Sequence, residues 1–303
     1  MIYSRVNLSE YIVTSIWWGC NNNCTICMLS GFKDKLPPIG FENFKRLLKD
    51  IISRGRFRNL ILSGAEVTTF DKLDKYVQFA ASLEWFDRIQ IQTNGRKLKD
   101  KAYVKHLVES GVNEFFVSIY GIEQIHDKIT GVMGSFEEVM QGIQNLSCFD
   151  VNTITNTVLT RLNLHNAKDL FSLLSGEKVS EMHAWNLFPM DNIDNVDIIL
   201  DLKDFARLLP EFLAAIRTSG KPLVFKGFPE CLSIGEPGFF DNFFPITVLP
   251  DAFWDKFSEC GFGKCFYRDK NQCASDSCWG LSTAYINRYG DERELLRPVT
   301  AKN

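Results

Sequence analysis

The sequence predicts an α/β fold, a partial (β/α)6 TIM-like barrel followed by a small cysteine-rich C-terminal extension. Strand-like and helix-like segments alternate six times between residues 11 and 217, the pattern of parallel strands joined by right-handed helical crossovers. The alternation ends near Gly220, too early for a closed eight-stranded barrel, which takes about 250 residues. Residues 228–280 are rich in Gly, Pro, Phe and Cys, a composition that needs a staple to fold. The expected domains are 1–218 for the barrel and 219–303 for the extension.

Each element has its own signal. Tyr11–Trp17 is an apolar run that reads as a buried strand. Residues 41–54 set Phe41, Phe44, Leu47, Leu48, Ile51 and Ile52 on one helical face. Asn59–Leu62 is a short strand ending in Ser63-Gly64, and residues 71–83 read as helix. Arg88–Gln92 is a strand ending in Thr93-Asn94-Gly95. The helix over 99–110 closes on Gly111, the residue best suited to a left-handed C-cap. Asn113–Ile119 is a strand rich in Phe and Val. Ser135 is expected to cap the next helix, whose inward face carries Val139, Ile143 and Leu146. A β-branched strand over 152–159, a helix over 166–174, a strand over 181–188 and a helix over 202–217 complete the series.

The chain has 303 residues, 45% of them apolar, and a net charge of −3, which suits a globular domain with a sizeable core. Nothing resembles a nucleic-acid-binding stripe or a polybasic membrane anchor. The basic clusters Lys33–Lys35 and Lys97–Lys101 are short and mixed with acids, as solvated helix ends and turns are. No apolar run is long enough to cross a bilayer, and no signal-peptide core follows Met1–Arg5. A reducing, cytoplasmic location is expected, where nine cysteines do not mean disulfides. Three of them fall within residues 20–27 and five between Cys231 and Cys278. Cys148 stands apart and reads as a small buried apolar residue.

Cys20, Cys24 and Cys27 form a C-x3-C-x2-C loop directly after the first strand, at the barrel face where active sites sit. Three thiolates can serve three irons of a cubane and leave the fourth iron open. A structural zinc site needs a fourth ligand, and none lies nearby in sequence. The loop resembles the C-x3-C-x-Φ-C motif of the radical S-adenosylmethionine (SAM) superfamily, with Ile26 as Φ. That resemblance implies a [4Fe–4S] cluster whose open iron chelates SAM. It also implies reductive cleavage to a 5′-deoxyadenosyl radical and removal of hydrogen from a C–H bond of the substrate.

The resemblance extends along the strand ends. Ser63, Gly64 and Glu66 resemble the family's G-G-E element, with Glu66 as acceptor for the ammonium group of SAM, although Ser63 and Ala65 depart from a double glycine. Gln92 and Asn94 belong to a T-N-G-like strand end, and Ser118 falls where members place a serine near the carboxylate or ribose. Asn156 is expected to face the ribose and Leu187 the adenine or substrate. The segment His126–Phe136 looks like one common in members with additional clusters, and His126 is given a structural role.

The C-terminal cysteines resemble the auxiliary-cluster extensions called SPASM or Twitch domains. A second [4Fe–4S] cluster is expected on Cys231, Cys265, Cys273 and Cys278. Cys260 is the spare: a ligand in place of Cys231, a hydrogen-atom donor, or an inert thiol. The competing reading is a zinc-stapled cysteine-rich binding module without radical chemistry. The implied partners are a peptide or small-molecule substrate and a reductase or flavodoxin- or ferredoxin-type electron donor, with no nucleic acid and no membrane.

Overall fold

The computed structural model describes residues 8–190, 197–217, 220–233, 237–275 and 277–300. The boundary expected at 218–219 and the Met1–Arg5 terminus lie outside these residues.

Eight strands build one curled sheet: β1 Tyr11–Trp17, β2 Asn59–Gly64, β3 Arg88–Thr93, β4 Glu114–Ser118, β5 Asn152–Leu159, β6 Glu181–Asn186, β7 Leu223–Lys226 and β8 Ile246–Val248. Their order is β7-β6-β5-β4-β3-β2-β1-β8, and every neighbouring pair is parallel. The six expected strands are present. The two further strands come from the stretch beyond Gly220, where the βα rhythm was expected to have stopped, although Leu223–Lys226 itself reads as strand-like. β7 is buried along its whole length. β8 is a three-residue Ile-Thr-Val run, too short to stand out from a loop by pattern alone.

These additions change the barrel's open side. Phe240 bridges Phe225 of β7, and the Asp241 N–H donates to the Phe225 carbonyl. Six residues later the same chain enters β8 and pairs with Ile12–Thr14 of β1. One segment, 240–248, thus bridges β7 at one edge of the sheet and, as β8, forms the other edge against β1.

Helices α1 Phe41–Ser53, α2 Leu73–Ser82, α3 Lys101–Ser110, α4 Gln124–Thr130, α5 Ser135–Leu146, α6 Ala167–Gly176 and α7 Leu202–Arg217 follow the strands. Three more, α8 Asp251–Glu259, α9 Phe266–Asp269 and α10 Thr283–Tyr289, belong to the C-terminal part. Phe44 and Leu48 of α1, Leu60 and Leu62 of β2, and Phe115 and Val117 of β4 share one core between the helices and the outer face of the sheet. Helix α3 is capped by the Asp100 carboxylate, which accepts from Ala102 N and Tyr103 N, and it ends on Gly111 at φ +117°.

Helix α5 is capped differently from expectation. Gly134 is its N-cap, and Ser135 already lies inside the helix. The Asp127 carboxylate supplies the cap, accepting from Gly134 N (2.6 Å), Phe136 N (2.8 Å) and Ser135 Oγ (2.8 Å). A carboxylate from the preceding helix has about four lone-pair sites and takes all three donors, more than the two a serine hydroxyl accepts. Cys148, expected to be buried, is exposed, with Lys101 Nζ 3.2 Å from its sulfur.

The inner face of the sheet is polar toward the strands' N-terminal ends. Glu114 is buried there and accepts from Tyr11 Oη (2.8 Å), Gln90 Nε2 (2.7 Å) and Asn152 Nδ2 (2.5 Å). Among the described residues no helix is long and apolar enough to cross a membrane.

Candidate active site and cysteine centres

The loop leaving β1 carries Cys20, Cys24 and Cys27, each partly buried. Ile26 points the other way and joins the main core. The three asparagines between Cys20 and Cys24 tie the loop to the barrel. Asn94 Nδ2 donates to Asn21 Oδ1 (2.7 Å), Arg96 Nη1 to Asn22 Oδ1 (3.0 Å), and Asn23 N to the Thr130 carbonyl (2.9 Å). Thr25 N donates to the Ile129 carbonyl, so the end of α4 acts as a rail for the loop. Gly131 is required at that rail, since a Cβ there would lie 2.8 Å from the Asn23 carbonyl oxygen.

Burial pushes the Cys20 thiol up to about 11 and the Cys24 thiol up to about 12, and it raises Cys27 as well. Cys27 further raises both of the others by charge, so the three sulfurs lie within electrostatic reach of one another. Thiolates gathered in such a site are costly unless a metal centre supplies compensating charge.

Above the loop, Gly64 is where β1 and β2 come closest; a Cβ at this position would stand 1.9 Å from the Trp17 carbonyl oxygen. Ser63 Oγ donates to Gln92 Oε1 at 2.8 Å, which joins two of the expected site residues. Glu66 is held in place by the neighbouring strand ends. Its carboxylate is buried and accepts from Thr68 N (3.0 Å), Thr68 Oγ1 (2.6 Å), Thr93 Oγ1 (2.7 Å) and Asn94 N (2.5 Å). It braces the end of β2 against the end of β3; three of these donors meet Oε1 and only Asn94 N meets Oε2, which keeps room for a further donor.

Ser118 and Asn156 are register partners on β4 and β5. Asn156 is buried and its Oδ1 has no hydrogen-bond partner. A buried amide oxygen left this way is an acceptor available to a ligand. Ser118 shares a hydrogen bond with the Tyr120 hydroxyl, whose acidity is suppressed first by burial and then by the charge of Cys24. Leu187, after β6, is buried in the main core.

The C-terminal part gathers the other cysteines. Cys231, Cys265, Cys273 and Cys278 line one small hollow. Burial raises Cys231 to about 11 and raises Cys278 too. Gly280 N donates to Cys278 Sγ (3.3 Å), and Glu230 accepts from Ser275 Oγ (2.5 Å) and from Ser277 Oγ at the rim. Cys260 is not part of this lining. It is buried against Met190 and Phe253, and its thiol donates to the Pro189 carbonyl at 3.0 Å. Among the described residues no three His, Cys, Asp or Glu side chains converge as the ligands of a single metal ion would.

The sequence profile of the Radical SAM superfamily matches residues 15–174. The chain belongs to the radical SAM superfamily. Membership makes it an iron–sulfur enzyme and implies one [4Fe–4S] cluster and SAM. The AdoMet-dependent heme synthase of Methanosarcina barkeri (strain Fusaro / DSM 804) is 28% identical over 213 residues, 69% of this chain and 59% of that protein. The sporulation killing factor maturation protein SkfB of Bacillus subtilis (strain 168) is 25% identical over 151 residues, 50% of this chain and 36% of SkfB. The chain thus spans about half the length of these relatives. Among solved structures, Streptococcus suis SuiB bound to its precursor peptide SuiA superposes with a TM-score of 0.61 at 17% identity, over 75% of this chain and 51% of SuiB. At that identity the likeness concerns the fold alone.

The residues present suit the implied cofactors. The N-terminal loop offers three soft sulfur donors and no fourth, and Asn156 on β5 holds an unpartnered buried acceptor. Sequence reasoning missed Arg96, Lys33, Asp127, Tyr120 and Glu230. The Arg96 contacts span 42 to 75 positions along the chain, so no local pattern marks them.

Proposed function

We propose that this protein reductively cleaves SAM at a [4Fe–4S] cluster held by Cys20, Cys24 and Cys27, and that it removes hydrogen from a C–H position of a peptide or small metabolite. A second [4Fe–4S] cluster is assigned to Cys231, Cys265, Cys273 and Cys278, within a C-terminal extension of SPASM or Twitch type beginning near residue 219. The observation that carries this reading is the grouping of the cysteines: three in the loop at the C-terminal end of β1, four others around one separate hollow.

When bound, the N-terminal cluster together with SAM supplies the 5′-deoxyadenosyl radical. The chain's own residues bind, orient and shield. Gly64 leaves backbone exposed where β1 and β2 meet, Gln92 is oriented by Ser63, and Asn156 offers its amide oxygen from the inner face of β5. The aromatic group of Trp185, Phe188 and Phe244 stands at the end of β6, with ring centroids 5.0 to 6.3 Å apart, and keeps that side apolar. Apolar walls of this kind exclude water from a reactive intermediate. The peptide alternative is supported by SkfB, a maturation protein, and by the fold shared with SuiB; the metabolite alternative by the heme synthase. An electron donor of flavodoxin or ferredoxin type, or a reductase, is the expected partner.

For the second site, four thiols share one hollow without any three converging as the ligands of one ion would, which supports a cubane, in which each cysteine takes its own iron, over a single zinc ion. The test is anaerobic purification followed by iron and zinc analysis and product assay. About eight irons per chain are expected, falling to about four in a Cys20→Ala/Cys24→Ala/Cys27→Ala variant and to about four in a Cys265→Ala/Cys273→Ala variant. Only the first variant should lose all 5′-deoxyadenosine formation with dithionite and SAM. Persistence of that product in the first variant, or zinc in the second site, overturns the corresponding assignment.

A further inference from the structure

We infer that Arg96 and Lys33 form a two-cation clamp on the Asn21–Asn22 stretch of the cysteine loop, Arg96 fixing its position and Lys33 setting the charge beside its three sulfurs. The inference rests on the reading of that loop as a cluster site, and it concerns residues outside every motif of the sequence.

Arg96 follows the strand end Thr93-Asn94-Gly95 and is only 16% exposed. Its Nη1 donates to the Asn21 carbonyl (2.7 Å) and to Asn22 Oδ1 (3.0 Å), while its Nε donates to Glu138 Oε2 (2.5 Å) on α5. One guanidinium therefore ties the loop to β3 and to α5. Glu138 is itself held by Lys99, which fixes the far end of the tether. The planar fork of arginine suits this, since its donors keep fixed mutual angles; a lysine offers a single rotating centre.

Lys33 is the second cation on this stretch. It lies six residues past Cys27, and its Nζ donates to the Asn22 carbonyl. The N–H of the same Asn22 donates to Cys20 Sγ at 3.4 Å, so the ammonium group sits one residue from the first sulfur of the loop. Arg96 spends its charge on Glu138, whereas among the described residues no carboxylate is paired with Lys33. The chain thus places one cation without a carboxylate partner on the loop that carries the three sulfurs. Net charge near a cluster is one of the levers on its potential, a nearby cation favouring the reduced, more negative form.

The two roles separate experimentally. In the anaerobically purified, fully loaded chain, Lys33→Met is expected to keep the wild-type iron content while its N-terminal cluster becomes harder to reduce. The expected change in the reduction equilibrium is about tenfold, ~59 mV for one electron, read by EPR-monitored redox titration. Lys33→Arg should restore the wild-type potential. Arg96→Gln is expected to lose N-terminal iron to a chelator several-fold faster than wild type, with Glu138→Gln giving the same direction. Wild-type potential in Lys33→Met, or wild-type iron loss in Arg96→Gln and Glu138→Gln, overturns the clamp. If Lys33→Met does not load, Lys33→Gln is measured against the same criterion, and failure of both to load also overturns the charge role. Failure of the wild-type loop to bind iron at all would instead overturn the cluster reading beneath it.

Discussion

His126 and Glu66 are two buried polar residues whose roles can be measured one at a time. His126 Nδ1 accepts the Tyr120 N–H at 3.0 Å, and burial holds the imidazole at about 4, below its ordinary 6.5. The folded chain keeps this ring neutral, while the unfolded chain protonates it more readily. Stability from this residue is therefore intact above about pH 6.5, falls as pH drops through the window from 6.5 to 4, and is gone below it. The loss across that window is roughly 3 kcal/mol at about 1.36 kcal/mol per unit. Urea unfolding at several pH values should show this slope in wild type and lose it in His126→Gln, whose side-chain oxygen can still accept from Tyr120.

Glu66 gives a second residue-scale prediction. Its four accepted bonds leave no place for an amide donor. Glu66→Gln must point its NH2 at another donor, at a cost of about 1–3 kcal/mol. The denaturation midpoint should fall accordingly, and SAM binding should weaken because the ends of β2 and β3 move together. An unchanged midpoint would mean that the carboxylate is not the brace described.

Among the elements, α4 and the cysteine loop depend on each other. Two backbone hydrogen bonds, Asn23 N to Thr130 O and Thr25 N to Ile129 O, join them, and Gly131 at φ +69° turns the chain away without touching the loop. Gly131→Ala adds a Cβ 2.8 Å from the Asn23 carbonyl oxygen in a conformation that alanine disfavours. We expect a loss of at least about 1 kcal/mol and, in the loaded chain, faster chelation of N-terminal iron. Gly134→Ala is the control: it shares the positive φ of +77° but has nothing within 4 Å of the added methyl. It should show the stability loss without the iron loss.

Over the whole molecule, the C-terminal part is joined to the barrel by aromatic packing around Trp279. This ring follows the cluster-ligand candidate Cys278, stacks on Phe188 at 5.2 Å and 14°, and lies 4.4 Å from Phe244. Its Nε1 donates to the Asn242 carbonyl at 3.0 Å, on the segment that spans β7 and β8. A second contact comes from Phe253 of α8 against Phe32, which follows the cysteine loop, at 5.9 Å. Trp279→Ala should cost about 3 kcal/mol and expose residues 240–250 to limited proteolysis, while amides of β2 to β4 keep their hydrogen-exchange protection. Equal protease sensitivity in wild type and variant would show that the ring is not the joint.

The sequence by itself determined the six βα units, the position of the cysteine loop at the end of β1 and the division of the cysteines into two groups, because these rest on local periodicity and on spacing along a short stretch of chain. Tertiary structure alone decided that β7 and β8 extend the sheet, that Asp127 and not Ser135 caps α5, that Cys260 lies outside the C-terminal hollow, and that Glu66 ties the end of β2 to the end of β3. Each of these depends on groups that meet only when distant segments pack. A three-residue strand becomes a strand through its partner, and a carboxylate becomes a brace or a ligand according to which donors surround it.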